Sequence, residues 1–395
     1  MMEEKKLVPK RRYQGFTEDW DKSKLENLAS FSKGKGYSKK DLTDIGHQLI
    51  LYGRLYTNYE TVIKKVDTYT IKQENSMLSK GREVIVPSSG ETKEDIARAS
   101  VILEPNIIIG GDLNVIIPSK ELDSVFLALN ISNGSCQSEL MKRAQGSSVV
   151  HLYNEDLISV TLYFPCVKEQ QKIGEFFKIL DERIANQERK IAKVKALKAA
   201  YLTEMFPQEG ETVPKRRFRG FEGEWNETIL DSVLAYEQPT DYIVDEDSYD
   251  DSYDIPVLTA GQSFLLGYTN EKHGIKKADV NNSVIIFDDF TTSSHHVDFF
   301  FKVKSSALKI LSSNSRKYST YFAYLILKNI DYTPESHERH WISIFSNFEV
   351  MTPSMEEQQK IGEFFKNLDN QIRLEEKKLD KLQKMKKAYL EEMFV

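Results

Sequence analysis

The apolar residues of two segments recur at alternating steps of four and three positions. The first stripe runs through Ile173, Phe177, Leu180, Ile184, Gln187, Ile191 and Val194. The second runs through Ile361, Phe365, Leu368, Ile372, Glu375, Leu379 and Leu382. The mean period of 3.5 predicts two long helices, each of which packs a narrow seam against a partner helix in a coiled coil. The one polar residue in each stripe, Gln187 or Glu375, is predicted to fix the register.

The two stripes belong to a larger internal repeat. The sequence EQQKIGEFFK occurs at 169–178 and again at 357–366, and the lead motif VPKRR occurs at 8–12 and 213–217. A tryptophan, Trp20 or Trp225, follows each lead motif. The variable bodies between these segments, 21–165 and 226–353, show no likeness to each other. The chain is therefore one plan used twice, which predicts one scaffold that presents two different binding heads.

The variable bodies combine strand and helix patterns. Short β-branched runs bounded by Gly, Pro or Asn predict strands at 84–87, 100–103, 106–110, 114–118, 255–258, 283–287 and 298–303. Apolar residues at helical spacing predict helices at 121–131 and 318–330. Each body ends on a predicted strand, within 157–164 or 345–352, that leads into the long helix. The pattern predicts mixed α and β structure in both heads.

Composition narrows the classes of function. Lys and Arg (54) nearly balance Asp and Glu (60), and the net charge of −6 argues against a free-standing, non-specific DNA binder. Cys136 and Cys166 lie outside any CxxC or Cys/His cluster, so we expect no zinc site and a reducing compartment. Because no apolar run approaches ~18 residues and the N-terminus is charged, we expect a cytoplasmic protein without a membrane segment.

Catalytic motifs are missing from the sequence. It contains no GxGxxG, Walker-type or HExxH motif and no Asn-Pro-Pro-aromatic signature of amino-methyltransferases, so we predict no catalytic residue. His337 and His340 have HxxH spacing, but no pattern of carboxylate or cysteine ligands accompanies them, so a metal site is not favoured. A denser polar cluster consists of Asp288, Asp289, His295 and His296. For that cluster a loop that meets a ligand or DNA is favoured over a metal site.

Three sets of loops are candidates for DNA contact. They are the strand-end loops 88–95 and 287–296, together with the segments 142–148 and 336–343 that precede the final strand of each body. Hydroxyl, amide and basic side chains there can contact phosphate or donate into a major groove. The predicted contact residues are Ser88, Ser89, Thr92, Lys93, Arg143, Gln145, Thr291, Thr292, Ser293, His295, Arg339 and His340. For each loop the alternative is a solvated turn.

Charge is unevenly distributed along the chain. No Lys or Arg lies between Arg219 and Lys272, and 241–254 is strongly acidic, so this surface should turn away from phosphate unless a basic partner covers it. The lysine rows of the long helices are predicted to be solvated flanks of the coiled coil, with DNA contact as the alternative.

The lead motif VPKRRFRGFEGEW, the variable body and the EQQKIGEFFKNLDNQI…KKAYLEEMF helix resemble the specificity (S) subunits of type I restriction–modification systems. The resemblance covers essentially the whole chain in both halves. It implies an α+β protein with two mixed α/β target recognition domains, joined by two long antiparallel helices that form a coiled coil, in a pseudo-two-fold repeat. The implied domains are 1–165 and 208–353 for recognition, with long helices at 166–207 and 354–395. The helix pair would act as a ruler between the domains.

The resemblance also implies a non-catalytic subunit that reads a bipartite, asymmetric target on double-stranded DNA. Its implied partners are two adenine-N6 methyltransferase subunits and the ATP-dependent translocase-nuclease subunits. S-adenosylmethionine, ATP and Mg are expected on those partners and no cofactor on this chain. Two other classes stay open on the residues alone: an adaptor whose heads bind proteins, and a nuclease or methyltransferase in its own right.

Overall fold

The computed structural model describes residues 8–146, 149–260, 263–334 and 339–395. The chain divides into two compact units. Unit 1 comprises the residues up to Glu188 together with Lys377–Val395, and unit 2 comprises Arg189–Glu376. Each unit therefore contains one variable body, the beginning of one long helix and the end of the other. The boundary between the two units falls within each long helix. The division of the chain into four domains, with each long helix as a domain of its own, stays a prediction.

Unit 1 holds the first body between its lead motif and its long helix. Its strands in the described residues are β1 (Asp21–Lys24), β2 (Ala29–Lys33), β3 (Leu42–Thr43), β4 (His47–Ile50), β5 (Val62–Ile63), β6 (Tyr69–Thr70), β7 (Leu78–Lys80), β8 (Glu83–Pro87), β9 (Ser89–Gly90), β10 (Ser100–Ile102), β11 (Pro105–Ile109), β12 (Leu113–Pro118), β13 (Val150–His151) and β14 (Thr161–Phe164). Its helices are α1 (Arg54–Thr57), α2 (Lys93–Ile96), α3 (Ser124–Ile131), α4 (Gly134–Arg143) and α5 (Asn154–Ile158), followed by the long helix α6 (Val167–Glu204), which ends in unit 2.

Unit 2 repeats this plan around the second body. Its strands in the described residues are β15 (Asn226–Ile229), β16 (Leu234–Glu237), β17 (Ile255–Leu258), β18 (Leu265–Thr269), β19 (Val284–Asp288), β20 (Ser294–Val297), β21 (Lys302–Val303), β22 (Leu308–Ser313) and β23 (Glu349–Thr352). Its helices are α7 (Leu230–Val233), α8 (Thr320–Asn329) and α9 (His340–Ser343), followed by the long helix α10 (Met355–Met393), which ends in unit 1.

The main sheets of the two bodies have the same topology. The first body orders its strands β2-β12-β8-β10-β5, and the second orders them β16-β22-β19-β20. The three shared pairings are antiparallel in both, and only β5 is added, parallel to β10. In each body a helix, α3 or α8, follows the strand beside the sheet edge. Two bodies without sequence likeness therefore contain sheets of the same topology.

A second sheet in each body repeats the correspondence. Its order is β3-β6-β4-β11-β7 in the first body and β18-β17-β21 in the second. Within it, β4 pairs antiparallel with β6 and parallel with β11, as β17 pairs antiparallel with β18 and parallel with β21. In the main sheet the central strands are mostly apolar, because both of their faces are covered; Val84, Ile85 and Val86 of β8 have no exposed surface.

The long helices pack antiparallel within each unit. In unit 1, Lys386 Nζ lies 2.6 Å from Asp181 Oδ1, and the Phe176 and Tyr389 rings are 5.0 Å apart. In unit 2 the equivalent contacts are Lys198 with Asp369, at 2.5 Å, and Tyr201 with Phe364, at 5.0 Å. Residue numbers fall on one helix as they rise on the other, so the predicted antiparallel pairing and fold class are confirmed.

The predicted seam residues lie on the buried side of these helices. Ile173, Phe177, Leu180, Ile361, Phe365, Leu368 and Ile372 are buried, and Ile184 is half-buried. The first residues of each stripe also belong to the core of the adjacent body, where Phe177 packs near Phe394 and Phe365 joins the cluster around Trp225. The stripe therefore holds the body to the helix as well as helix to helix.

Most sequence-predicted elements are confirmed with small shifts at their ends. The exception is the predicted strand 298–303, which is reduced to the pair Lys302–Val303, because Phe299 and Phe300 are partly exposed and lie outside the ladder. The predictions did not include several strands of both bodies, among them β2, β3–β7, β16, β18, β20 and β22, nor helices such as α4 and α9. Among the described helices, none is long and apolar enough to cross a membrane.

Candidate nucleic-acid interface

The repeated residues form one anchor in each unit. In unit 1, Arg12 donates from Nε and Nη2 to the two carboxylate oxygens of Glu169, at 2.9 and 2.7 Å. In unit 2, Arg217 donates in the same way to Glu357, at 2.7 and 2.8 Å. Both glutamates are 1% exposed. Hydrogen bonding raises the pKa of each arginine, and the bidentate geometry fixes the lead motif to the start of the long helix.

The glutamine that follows each of these glutamates attaches the body to the long helix. Gln170 accepts the N–H of Asp123, the N-cap of α3, at 2.8 Å, and its amide donates to the Pro165 carbonyl at 2.8 Å. Gln358 repeats this with the N–H of Ser319, the N-cap of α8, at 3.1 Å, and the Pro353 carbonyl at 3.0 Å. Each glutamine thus ties a body helix to the strand–helix junction.

Aromatic packing completes the frame. Trp20 packs edge-on to Phe126, and Phe394 lies against the same ring, both at 5.7 Å between centroids. In unit 2, Trp225 and Phe206 pack on Phe322 at 5.8 and 5.4 Å. We call the lead motif, the tryptophan and the long helix the repeated frame. It holds two unlike bodies through the same contacts.

The structure brings the two candidate loops of the first body together. Strand β9 begins the 88–95 loop and pairs with β13, where Ser89 is opposite His151. His151 also forms a backbone bridge with Gln145 of the 142–148 segment. Residues 147 and 148 lie outside the described residues. The pairing places the two predicted segments side by side, with Lys93 and Gln145 exposed.

Several predicted contact residues of the first body have structural roles. Ser88 is buried, and its backbone bonds to Asp112 and Leu152. Thr92 caps α2 by accepting the Asp95 N–H at 3.1 Å. Arg143 donates to Glu139 Oε1 at 2.5 Å and to Ser159 Oγ at 2.7 Å. The hydroxyl of Thr92 and the guanidinium of Arg143 are therefore engaged in intramolecular hydrogen bonds, which leaves Lys93 and Gln145 as the better placed pair.

Sequence reasoning missed three neighbours of this surface. The His151 and Tyr153 rings stack at 6.0 Å, and Lys33 Nζ lies 5.3 Å above the Tyr153 ring. Tyr153 is 41% exposed. A basic residue beside an exposed aromatic ring is a combination that nucleic-acid surfaces use. Lys33 is more than a hundred positions from the two rings, so only the folded structure reveals the group.

The candidate loop of the second body is a tight turn between β19 and β20. The Asp288 carboxylate accepts the Phe290 N–H at 3.0 Å and the Thr291 hydroxyl at 2.5 Å. Thr292 has a φ of 59°, a left-handed conformation that β-branched residues rarely adopt. Ser293 closes the turn by accepting the Asp288 N–H at 2.8 Å. Phe290 and Thr291 are the exposed members.

The segment before the final strand again meets this turn. Asp289 is hydrogen-bonded to His340 and Trp341, so the 287–296 loop and the described part of 336–343 are adjacent. His340 is 1% exposed, and its Nδ1 lies 2.9 Å from the Asp289 carbonyl oxygen. A buried ring cannot reach a base edge, so we withdraw His340 as a predicted DNA contact. Arg339 is exposed, and His337 lies outside the described residues.

The two histidines of β20 are half-buried and flank different groups. The His295 ring stacks on Phe264 at 4.0 Å, and the His296 ring packs edge-on to Tyr321 at 4.8 Å. Burial lowers the pKa of each to about 4, so both are neutral near pH 7. Neutral His295 is therefore a packed ring with a polar edge rather than a cation for phosphate.

Metal ligands do not converge in the predicted polar cluster. Within the described ranges, the carboxylate and imidazole atoms that gather within 4.8 Å of one another belong to Asp245, Glu271 and His273. Asp245 is 2.8 Å from His273, and Glu271 is 2.6 Å from Lys302. These groups pair with each other and with a lysine, so their arrangement is explained without an ion.

The acidic segment 241–254 is partly neutralised by residues from later in the chain. Lys304 pairs with Asp247, and Lys276 with Glu237 just before the segment. The stretch between Arg219 and Lys272 contains no Lys or Arg, but the fold brings basic residues from outside the stretch close to its acidic side chains. Asp250 and Asp251 remain exposed.

Comparisons with known proteins follow the same division into two halves. The family model for the type I restriction modification DNA specificity domain matches residues 17–196 and again 222–384. The specificity subunit of the Escherichia coli type I restriction enzyme EcoR124I/EcoR124II is 44% identical over 144 residues, 36% of this chain and 35% of that protein. The chain thus spans about a third of the curated relative's length.

Two solved structures share the fold over nearly the full length. The S subunit of the type I restriction-modification system from M. genitalium matches with a TM-score of 0.66 and 16% identity, covering 98% of this chain and 99% of that one. A structure from work on complex assembly and conformational transition of the type I R-M system matches with a TM-score of 0.51 and 14% identity, covering 97% and 99%. With the family model matched in both halves, the chain belongs to the type I restriction modification DNA specificity family.

Proposed function

We propose that this chain is the non-catalytic DNA-recognition subunit of a type I restriction–modification complex, and that each body reads one half of a bipartite, asymmetric target. The observation that carries the proposal is the repeated frame with unlike bodies. Arg12–Glu169 and Arg217–Glu357 hold two bodies that share a sheet order but not a sequence. One frame with two heads suits a target whose halves differ.

The candidate contact surfaces support this proposal. In each body the loop after the central strand, β8 or β19, lies beside the segment that precedes the final strand. The exposed polar groups there include Lys93, Gln145, Thr291 and Arg339. Side chains of these types contact phosphates or base edges. The bulk of phosphate neutralisation is assigned to partner subunits, because the chain itself carries a net charge of −6.

The partners are proposed from the family to which the chain belongs. A frame that occurs twice offers two equivalent surfaces, which suits two copies of one adenine-N6 methyltransferase subunit. The ATP-dependent translocase-nuclease subunits would join that assembly. S-adenosylmethionine, ATP and Mg belong to those partners in this proposal. The chain contributes the choice of sequence, by placing a DNA site against the partner's chemistry.

The test is to express the chain with its methyltransferase subunit in a host that lacks adenine methylation, and to sequence the methylated genome. The proposal expects methyladenine in one motif with two specified parts and a fixed gap. The control is the double variant Glu169→Gln/Glu357→Gln, which disrupts both anchors and should abolish the motif. Methylation that is absent with the wild-type chain, or that follows a single uninterrupted motif, would contradict the proposal.

The rival reading, an adaptor whose heads bind proteins, is separated by a second measurement. Labelled duplexes that carry the methylated motif should bind the purified complex more tightly than duplexes with a scrambled motif, and the difference should persist as salt is raised. An adaptor would give equal and salt-sensitive binding to both duplexes.

A further inference from the structure

A buried carboxylate joins the two candidate contact segments of the second body. Asp289 directly follows β19 and is 1% exposed. Its Oδ1 accepts the backbone N–H of Trp341 at 2.8 Å. Its carbonyl oxygen accepts the N–H of His340 at 3.1 Å, and its own N–H donates to the Ala307 carbonyl at 3.0 Å. One residue thus fixes the turn, the segment after Arg339 and the loop before β22.

The counter-ion of Asp289 is equally buried. Lys309, on β22, has no exposed side-chain surface; its Nζ lies 3.3 Å from Asp289 Oδ2 and donates to Gln238 Oε1 at 3.0 Å. Burying two charges carries a desolvation cost that an apolar pair of similar volume avoids, so stability alone does not explain the pair. What an apolar pair lacks is an acceptor for the Trp341 N–H.

The turn held by Asp289 is shaped before any ligand arrives. The Asp288 carboxylate is occupied by the Phe290 N–H and the Thr291 hydroxyl. Thr292 holds its left-handed φ of 59° inside this set of bonds. Strained conformations of this kind persist where the surroundings determine them, and they concentrate at functional sites. The exposed Phe290 and Thr291 are therefore presented in one fixed orientation.

We propose that Asp289 is a positioning residue for recognition of the second half-site: it holds the 288–293 turn and the segment after Arg339 in one arrangement toward DNA. The inference rests on the proposed function, in which the second body reads DNA. Readout of base edges needs donors and acceptors placed to within about 0.5 Å, so loss of the anchor should blur the half-site in a body that remains folded.

Two matched variants separate positioning from folding. Asp289→Leu/Lys309→Met replaces the pair by apolar side chains of similar size and removes the acceptor for the Trp341 N–H. Asp289→Asn/Lys309→Met removes the same charges but keeps an Oδ1 acceptor. Both lose the lysine bond to Gln238, and only the asparagine variant keeps an acceptor for the Trp341 N–H. The readout is the methylated motif of the full complex, with the first half-site as internal control.

The apolar variant should methylate sites with one wrong base in the second half about tenfold more often, relative to correct sites, than the wild type does. The asparagine variant should retain the wild-type ratio, and the first half-site should stay unchanged in both. If the apolar variant does not fold, Asp289→Ala/Lys309→Met takes its place, since the smaller side chain cannot strain the pocket.

An unchanged motif in the folded apolar variant overturns the positioning role. Equal relaxation in the apolar and asparagine variants also overturns it, because a role through the charge pair alone would produce that result. If the wild-type chain directs no bipartite methylation, the proposed function fails and this inference falls with it. The wild-type motif therefore tells the two failures apart.

Discussion

The two bodies of this protein join their contact segments in different ways on the same sheet. In the first, the segments meet through backbone pairing of β9 with β13, with Ser89 opposite His151. In the second they meet at the single residue Asp289, whose carbonyl oxygen accepts the His340 N–H and whose buried carboxylate accepts the Trp341 N–H. The sheet order around them is shared. The difference teaches that the frame determines where the segments lie, while each body supplies its own means of fixing them.

The contacts between body and helix diverge in the same manner. Val125 in the first body and Tyr321 in the second face equivalent glycines of the repeat: a Cβ on Gly174 would lie 3.2 Å from Val125, and a Cβ on Gly362 would lie 3.7 Å from Tyr321. Tyr321 also donates to Asp369 at 2.5 Å. The glycine admits either side chain, so the frame tolerates different bodies.

The largest effect is expected when one anchor is broken. Glu169→Gln and Glu357→Gln should each lower the free energy of unfolding by about 3–5 kcal/mol, because the charge is removed from a buried carboxylate and the half-buried arginine loses its charged partner. Hydrogen exchange should rise in the unit that carries the variant. Glu175→Gln, at an exposed position of the same helix, is the control and should leave exchange unchanged. Unequal losses for Glu169 and Glu357 would break the equivalence of the two anchors.

Truncation of the equivalent seam leucines sharpens the comparison. Leu180→Ala and Leu368→Ala should each cost about 2–4 kcal/mol, since both side chains are buried and neither site can collapse freely. Thermal melts measure the loss. The exposed Ile179 and Leu374 provide control substitutions to alanine on the same helices. Leucine variants that melt like these controls would place the stripe outside the core.

Acid should distinguish the bodies by a smaller effect. The pKa of His295 and of His296 falls from an ordinary 6.5 to about 4 on burial, so the unfolded chain binds more protons than the folded one between these values. The two neutral histidines contribute fully to the free energy of unfolding above pH 6.5, and this contribution is lost as the pH falls through 4. Unit 2 should therefore lose stability across this window.

This dependence is measured by unfolding the protein in urea at several pH values and monitoring hydrogen exchange in unit 2. His296→Phe should flatten the curve, because phenylalanine keeps the edge-on packing against Tyr321 and does not titrate. A slope that is unchanged in this variant would show that other groups govern the acid response.

The sequence was informative about local elements and about repetition. Apolar runs marked the central strands, and the 3.5-residue period marked both long helices, because these patterns lie within short windows. The lead motif was visible as a repeat, but its partner was not: Arg12 and Glu169 are 157 residues apart. Long-range pairs of this kind follow from topology, which composition does not carry.

The candidate site was predictable at the level of segments and much less at the level of side chains. Loops 88–95 and 287–296 follow equivalent central strands, and hydroxyl-rich composition marked both. His340 was misjudged, because a polar residue in a polar segment is expected to be exposed, whereas the buried ring lies against the carbonyl oxygen of Asp289, 51 positions away. Tyr153 and Lys33 were missed because they are 120 positions apart in the sequence and meet only in the folded body, where Asn154 bonds to the Ser32 carbonyl.

The most direct test of the central claim, that a fixed frame carries two independent reading bodies, is an exchange of one body. Residues 226–353 are replaced by the corresponding body of a relative, with Arg217, Trp225 and Glu357 retained, and methylated adenines are sequenced across the host genome. One half of the motif should change to the donor's half-sequence, and the other half should stay as it was. A change in both halves, or in neither, would contradict the claim.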